Sequence, residues 1–132
     1  MPRLGEIREL AREHHGALIL ARDLGRLADD AGDEVLAAMN ARIARYWKDD
    51  MAAHFRHEEA ILLRLPGVLP AEKAMTLLDD HHALAALCVR AAANDLRLAS
   101  LRSFGERLAA HVRFEERACF DALQDALEAT SQ

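Results

Sequence analysis

Residues able to stop a helix cluster at only three places in this chain of 132 residues: Asp29-Asp30-Ala31-Gly32, Pro66-Gly67-Val68-Leu69-Pro70 and Asn94-Asp95. Between them lie four long segments, rich in alanine, poor in β-branched residues and without the alternation of a strand. The spacing predicts helix A from Arg3 to about Ala28, with Gly32 as a left-handed cap beyond it. Helix B runs from Asp33 or Glu34, acids that favour a first turn, to about Leu65. Helix C starts near Glu72 and fades at Asn94-Asp95, and helix D, capped by Ser100, reaches about Glu128. Rods of about 25 residues and nearly 40 Å, joined by short loops, make antiparallel neighbours. The expected fold is all-α, an up-down-up-down antiparallel four-helix bundle, with residues 1–132 as one domain.

Composition narrows the function. A net charge of -5 argues against nucleic acid as a partner, because a phosphate backbone wants a basic face. No charge-free apolar run approaches the ~18 residues of a membrane span. Arg3, Glu6, Arg8, Glu9 and Arg12 interrupt what would be the apolar stretch of a signal peptide. Two cysteines, Cys88 and Cys119, make no disulfide framework and suit a reducing compartment. The expectation is a cytoplasmic protein with neither nucleic acid nor membrane as partner. Seven histidines are about twice an ordinary share.

Those histidines fall into an internal echo. Helix B reads His54-Phe55-Arg56-His57-Glu58-Glu59, and helix D reads His111-Val112-Arg113-Phe114-Glu115-Glu116. Helices A and C repeat a shorter pattern, Glu13-His14-His15 with Leu18 and Asp80-His81-His82 with Leu84.

Helix phase, at ~100° per residue, sorts them. His14 falls on the stripe of Ile7, Leu10, Ala11, Leu18, Ala21 and Leu24. His81 falls on that of Ala74, Leu78, Ala85, Cys88, Ala92 and Leu96. In helix B the stripe of Leu36, Ile43, Trp47, Met51, Ile61 and Leu65 passes through His54 and Glu58. In helix D, Leu101, Phe104, Leu108, Val112, Cys119 and Ala122 bracket His111 and Glu115. Glu59 and Glu116 turn to the polar flank, and His15, His57 and His82 read as boundary residues.

A buried unpaired carboxylate costs several kcal/mol or takes up a proton. A pair of cations would neutralise two of them, with carboxylates between the metals and imidazoles on terminal positions. The i, i+4 spacing places both donors on one helix face. A single His-x-x-x-Glu arises by chance about half a time in such a composition. Two, on the apolar stripes of alternate helices and matched by core histidines on the others, are far harder to produce by accident. The bland alternative is a polar network of His–Glu hydrogen bonds. Neither Glu-x-x-His nor His-Glu-x-x-His occurs, so those di-iron and zinc-protease patterns are excluded. Cys119, one turn beyond Glu115, is read as a small core residue within reach of a metal.

On these motifs the chain resembles the hemerythrin-like family, the HHE cation-binding domains, over essentially its whole length. The resemblance implies that His14 and His54 bind one iron, that His81 and His111 bind the other, and that Glu58 and Glu115 bridge them. The cofactors would be two Fe ions, with Zn or Mn as substitutes. Oxygen-carrying members have a further histidine one turn before the helix C ligand, where this chain has Leu77. Waters or exogenous ligands would then fill the open positions, or His15, His57, His82, Tyr46 or Glu59 would supply a ligand. The implied partner is a small diatomic ligand or peroxide. Binding or sensing of O2, NO or iron and redox state is favoured over an enzyme acting on peroxide or NO or donating iron, and over a structural bundle with adventitious zinc.

Overall fold

The computed structural model describes residues 2–130, with side chains from Gly5 onward; Met1, Ser131 and Gln132 of the expected domain lie outside the described residues. The chain is all-helical, with no strand among the described residues. Its elements are α1 (Pro2–Gly25), α2 (Asp33–Tyr46), a π turn (Trp47–Met51), α3 (Ala52–Arg64), α4 (Ala71–Ala92), α5 (Leu98–Ala118) and α6 (Phe120–Thr130). α1 packs chiefly on α5 and α6, and α2 on α4.

Expected helices B and D each contain an irregularity. Backbone on both sides of the π turn stays helical, so α2 and α3 form one rod whose middle turn holds extra chain. Helix D is broken at Cys119, where the backbone leaves helical values (φ -123°, ψ -46°). No proline or glycine marks either place.

Three boundaries also differ from expectation. Helix A ends at Gly25, and Gly32 is extended (φ -81°, ψ 172°), forming the N-cap of α2 and not a left-handed cap. Arg97, not Ser100, caps α5. The left-handed residue that ends α4 is Asn94 (φ 55°), beside which the Asp95 N–H closes back onto the Arg90 carbonyl at 3.0 Å.

The apolar core forms two clusters with a polar layer between them. In α1, Ile7 and Leu10 belong to one cluster and Ala17, Leu20 and Leu24 to the other, with His14 between. α4 repeats this order: Leu77 in the first cluster, then His81, then Leu84 and Cys88 in the second. α3 and α5 run through the clusters in the opposite order, from Phe55 to Ile61 across Glu58 and from Leu108 to Cys119 across Glu115.

Some stripe assignments are corrected. Leu18, Leu78, Ala92 and Ala122 are exposed, whereas Leu20, Leu77, Ala91 and Leu123 are buried. Asn40, unremarked in the sequence, is fully buried and pins the loop before α5. Its side-chain amide donates to the Leu36 and Leu96 carbonyls at 2.8 and 2.9 Å, and its Oδ1 accepts from the Leu96 N–H at 3.0 Å.

Candidate metal centre

The polar layer brings together all six residues singled out by helix phase. Ligating atoms of His14, His54, Glu58 and Glu115 lie within 4.8 Å of one another, and so do those of Glu58, His81, His111 and Glu115. The two groups share both carboxylates. Each Nε2 faces one of them: His54 lies 3.1 Å and His81 2.9 Å from Glu58, while His14 lies 3.0 Å and His111 3.3 Å from Glu115.

Proximity does not satisfy these atoms. Both oxygens of Glu58, Oε2 of Glu115 and the Nε2 atoms of His81 and His111 are buried without a hydrogen-bond partner among the described residues. Orphaned buried groups cost about 1–3 kcal/mol each. The donor set is imidazole nitrogen and carboxylate oxygen, which suits iron, manganese and zinc. Cations between the converging atoms would use these orphaned lone pairs, so the residues fit metal ions.

Charge is finely divided here. Burial and the adjacent Glu115 push the Glu58 carboxyl well above the usual range. Burial also opposes ionisation of Glu115, but contacts with Glu58, His111 and His14 outweigh it and hold that carboxyl far below its ordinary value. The two carboxyls are thus pushed in opposite directions, so a proton taken up by the pair sits on Glu58 in preference to Glu115. Burial would lower all four histidines. His54 and His81 stay low, whereas the Glu115 and Glu116 contacts raise His14, and those to Glu115 and Asp80 raise His111.

Outside this layer a second set of acids holds the imidazoles by Nδ1. Nδ1 of His14 donates to Glu116 at 3.0 Å, His54 to Glu13 at 2.6 Å, His81 to Glu59 at 2.7 Å and His111 to Asp80 at 3.0 Å. An ionised carboxylate only accepts, so each Nδ1 carries the proton. Sequence reasoning puts Glu59 and Glu116 on the polar flank, with Glu59 also a reserve ligand. The signal it could have used is adjacency, since Glu59 and Glu116 each follow a core glutamate and so lie about a quarter-turn round, towards the neighbouring helix.

The reserve residues lie elsewhere. His15 and His82 are exposed, and His57 is half-buried 3.1 Å from Glu6. Cys119 is buried, its thiol pushed up to about 11 by burial and by Glu115, and is not among the converging side chains. Tyr46 lines a small cavity of about 10 Å³, the size of a single water, with His14, His54, His111 and Glu115. Burial, Asp50 and Glu13 push its phenol up to about 12, so it stays neutral. Leu77 is buried one turn before His81.

A helical protein with two overlapping His/Glu clusters in its core belongs by its site to the metal-binding class. The family model described as the Hemerythrin HHE cation binding domain matches residues 6–123, and the chain belongs to that family. Searches of curated proteins and of solved structures found no match.

Proposed function

We propose that the centre holds two iron ions and that the protein binds O2 or NO, or senses iron or redox state, through them. The observation that carries this reading is that the two clusters share Glu58 and Glu115, the arrangement of two adjacent ions joined by carboxylates. His14 and His54 would hold one ion and His81 and His111 the other. Iron bound there would supply one-electron redox change and free coordination positions. The chain's part is to orient four imidazoles, to give up the proton of the carboxyl pair and to exclude water with apolar clusters on both sides.

Two features favour an exogenous small ligand. Leu77 offers no donor where oxygen-carrying relatives have a histidine, and a cavity with room for a single water lies beside Tyr46 against His14, His54, His111 and Glu115. The same features favour turnover of peroxide or NO, or donation of iron, as a second reading. The alternation of cluster order along α1, α3, α4 and α5 supports four rods running up-down-up-down. No described helix is long and apolar enough to cross a membrane, and both cysteines are free thiols, in keeping with the cytoplasm.

Anaerobic reconstitution with ferrous iron, followed by metal analysis and optical spectroscopy, tests the reading. Two irons per chain and a charge-transfer band on oxidation are expected. Well under one metal per chain would overturn it, and zinc alone, without the band, would leave the structural reading. Steady-state assays with peroxide or NO on the reduced protein separate the binding role from the enzymatic one.

A further inference from the structure

The four outer acids are wired across the molecule, not along each helix. Glu13 of α1 holds His54 of α3, and Glu59 of α3 holds His81 of α4. Asp80 of α4 then holds His111 of α5, and Glu116 of α5 holds His14 of α1, which closes the circuit. Each helix supplies an outer carboxylate to the Nδ1 of a histidine on another helix, and no Nδ1 is held by an acid of its own helix. The sequence echo fits this wiring, since Glu13-His14 corresponds to Asp80-His81, and His54 with Glu58-Glu59 to His111 with Glu115-Glu116.

Two histidines are gripped on both ring edges by consecutive residues. His81 stands between Glu58 at Nε2 and Glu59 at Nδ1, and His14 between Glu115 at Nε2 and Glu116 at Nδ1. Both belong to one half of the echo and are gripped by the other half. A histidine held at Nδ1 presents the Nε2 lone pair inward in a fixed plane, which raises its basicity as a donor. The outer acids can do this cheaply, because Glu13, Glu59 and Glu116 are 42%, 44% and 47% exposed and remain hydrated.

We propose that Glu13, Glu59, Asp80 and Glu116 are positioning residues that form a closed cross-helix circuit, and that each controls one metal position by orienting a histidine of a different helix. This rests on the two-ion reading of the centre. Glu13 and Glu116 act on the His14/His54 ion, and Glu59 and Asp80 on the His81/His111 ion. Which ion an acid governs is therefore set by the histidine it touches and not by the helix that carries it.

The test measures two zinc affinities by chelator competition, with cobalt(II) visible spectra reporting coordination, and imidazole 15N shifts in the metal-free protein. Glu59→Ala should weaken one ion by about 10–100-fold and spare the other. Glu59→Gln, whose amide oxygen still accepts from Nδ1, should restore most of that loss. Combining Glu59→Ala with Asp80→Ala should act on the same ion, and combining it with Glu116→Ala should weaken both. An exposed control, Glu106→Ala, should change nothing.

Wild type binding two ions while Glu59→Ala binds them equally well would overturn the circuit, and so would equal loss at both ions in every single variant. Wild type binding no metal would instead refute the two-ion reading. The 15N shifts then decide the circuit alone: selective loss of the Nδ1-protonated form of His81 in Glu59→Ala supports it, and no change overturns it.

Discussion

The Phe55 ring lies flat on the imidazole of His81, centroids 3.8 Å apart and planes 9° from parallel. Phe120, just past the break at Cys119, stacks on His14 in the same parallel sense at 5.2 Å. The edges of these two rings are held by acids and a face of each by an aromatic. Phe55→Ala should cost about 3–5 kcal/mol by opening a cavity in the core and should also loosen the His81/His111 ion. Phe55→Leu should keep most of the stability. Urea denaturation and zinc affinity measured together check this; an alanine variant with wild-type affinity for both ions would show that the stack is packing alone.

Asn40 satisfies both backbone groups of Leu96 from 56 residues away. Asn40→Ala should destabilise the fold by about 1–3 kcal/mol, because a buried N–H and carbonyl lose their partner. Asn40→Leu should do no better, since filling the space leaves the same groups unpaired. A shift of the denaturation midpoint at constant slope is the expected result.

Two glycines should respond with opposite signs. A Cβ at Gly105 would stand 3.0 Å from the Ala21 carbonyl oxygen and 3.1 Å from Leu24 Cβ, whereas one at Gly5 would meet nothing within 4 Å. Gly105→Ala should force α5 away from α1 at a cost of roughly 1–3 kcal/mol. Gly5→Ala, in the helix α1, should gain about 0.5–1 kcal/mol from reduced chain entropy. Thermal melts of the two variants suffice to compare them.

Between pH 4.5 and its raised folded-state value, Glu58 should make the metal-free protein lose stability as pH rises. Glu58 has a raised folded-state pKa, so its favourable protonated form is fully present below the unfolded value of 4.5 and is lost as pH climbs through the folded value. Glu58→Gln mimics the protonated carboxyl, so at neutral pH it should raise the metal-free melting temperature. A gain of about 1 kcal/mol would move it roughly 5 °C. The same variant should take up metal poorly, and metal binding to the wild type should release protons in weakly buffered solution. A melting temperature flat with pH in wild type would contradict the proton held by the carboxyl pair.

The inner residues were legible because helices with few breakers keep phase, and His54 with Glu58 or His111 with Glu115 repeats one turn. Helix C is harder to phase: its many alanines fit either face, so the pattern favours Leu78 where the structure buries Leu77. The break at Cys119 and the π turn were invisible because neither contains proline or glycine; tertiary packing makes them. The outer acids escaped for another reason. What Glu59 or Glu116 touches lies on a different helix, and a pattern read along one helix carries no record of its neighbour.

The π turn, finally, lets one rod obey two registers. From Leu36 through Asn40 to Ile43 the rod is phased for packing against α4 and the Leu96 loop; from Met51 through Phe55 to Glu58 it is phased for the polar layer. Winding all of Trp47–Met51 as regular α-helix, with no residue lost, would make the rod locally more regular while swinging His54 and Glu58 about a quarter-turn off the layer. The more perfect helix would be the blind one.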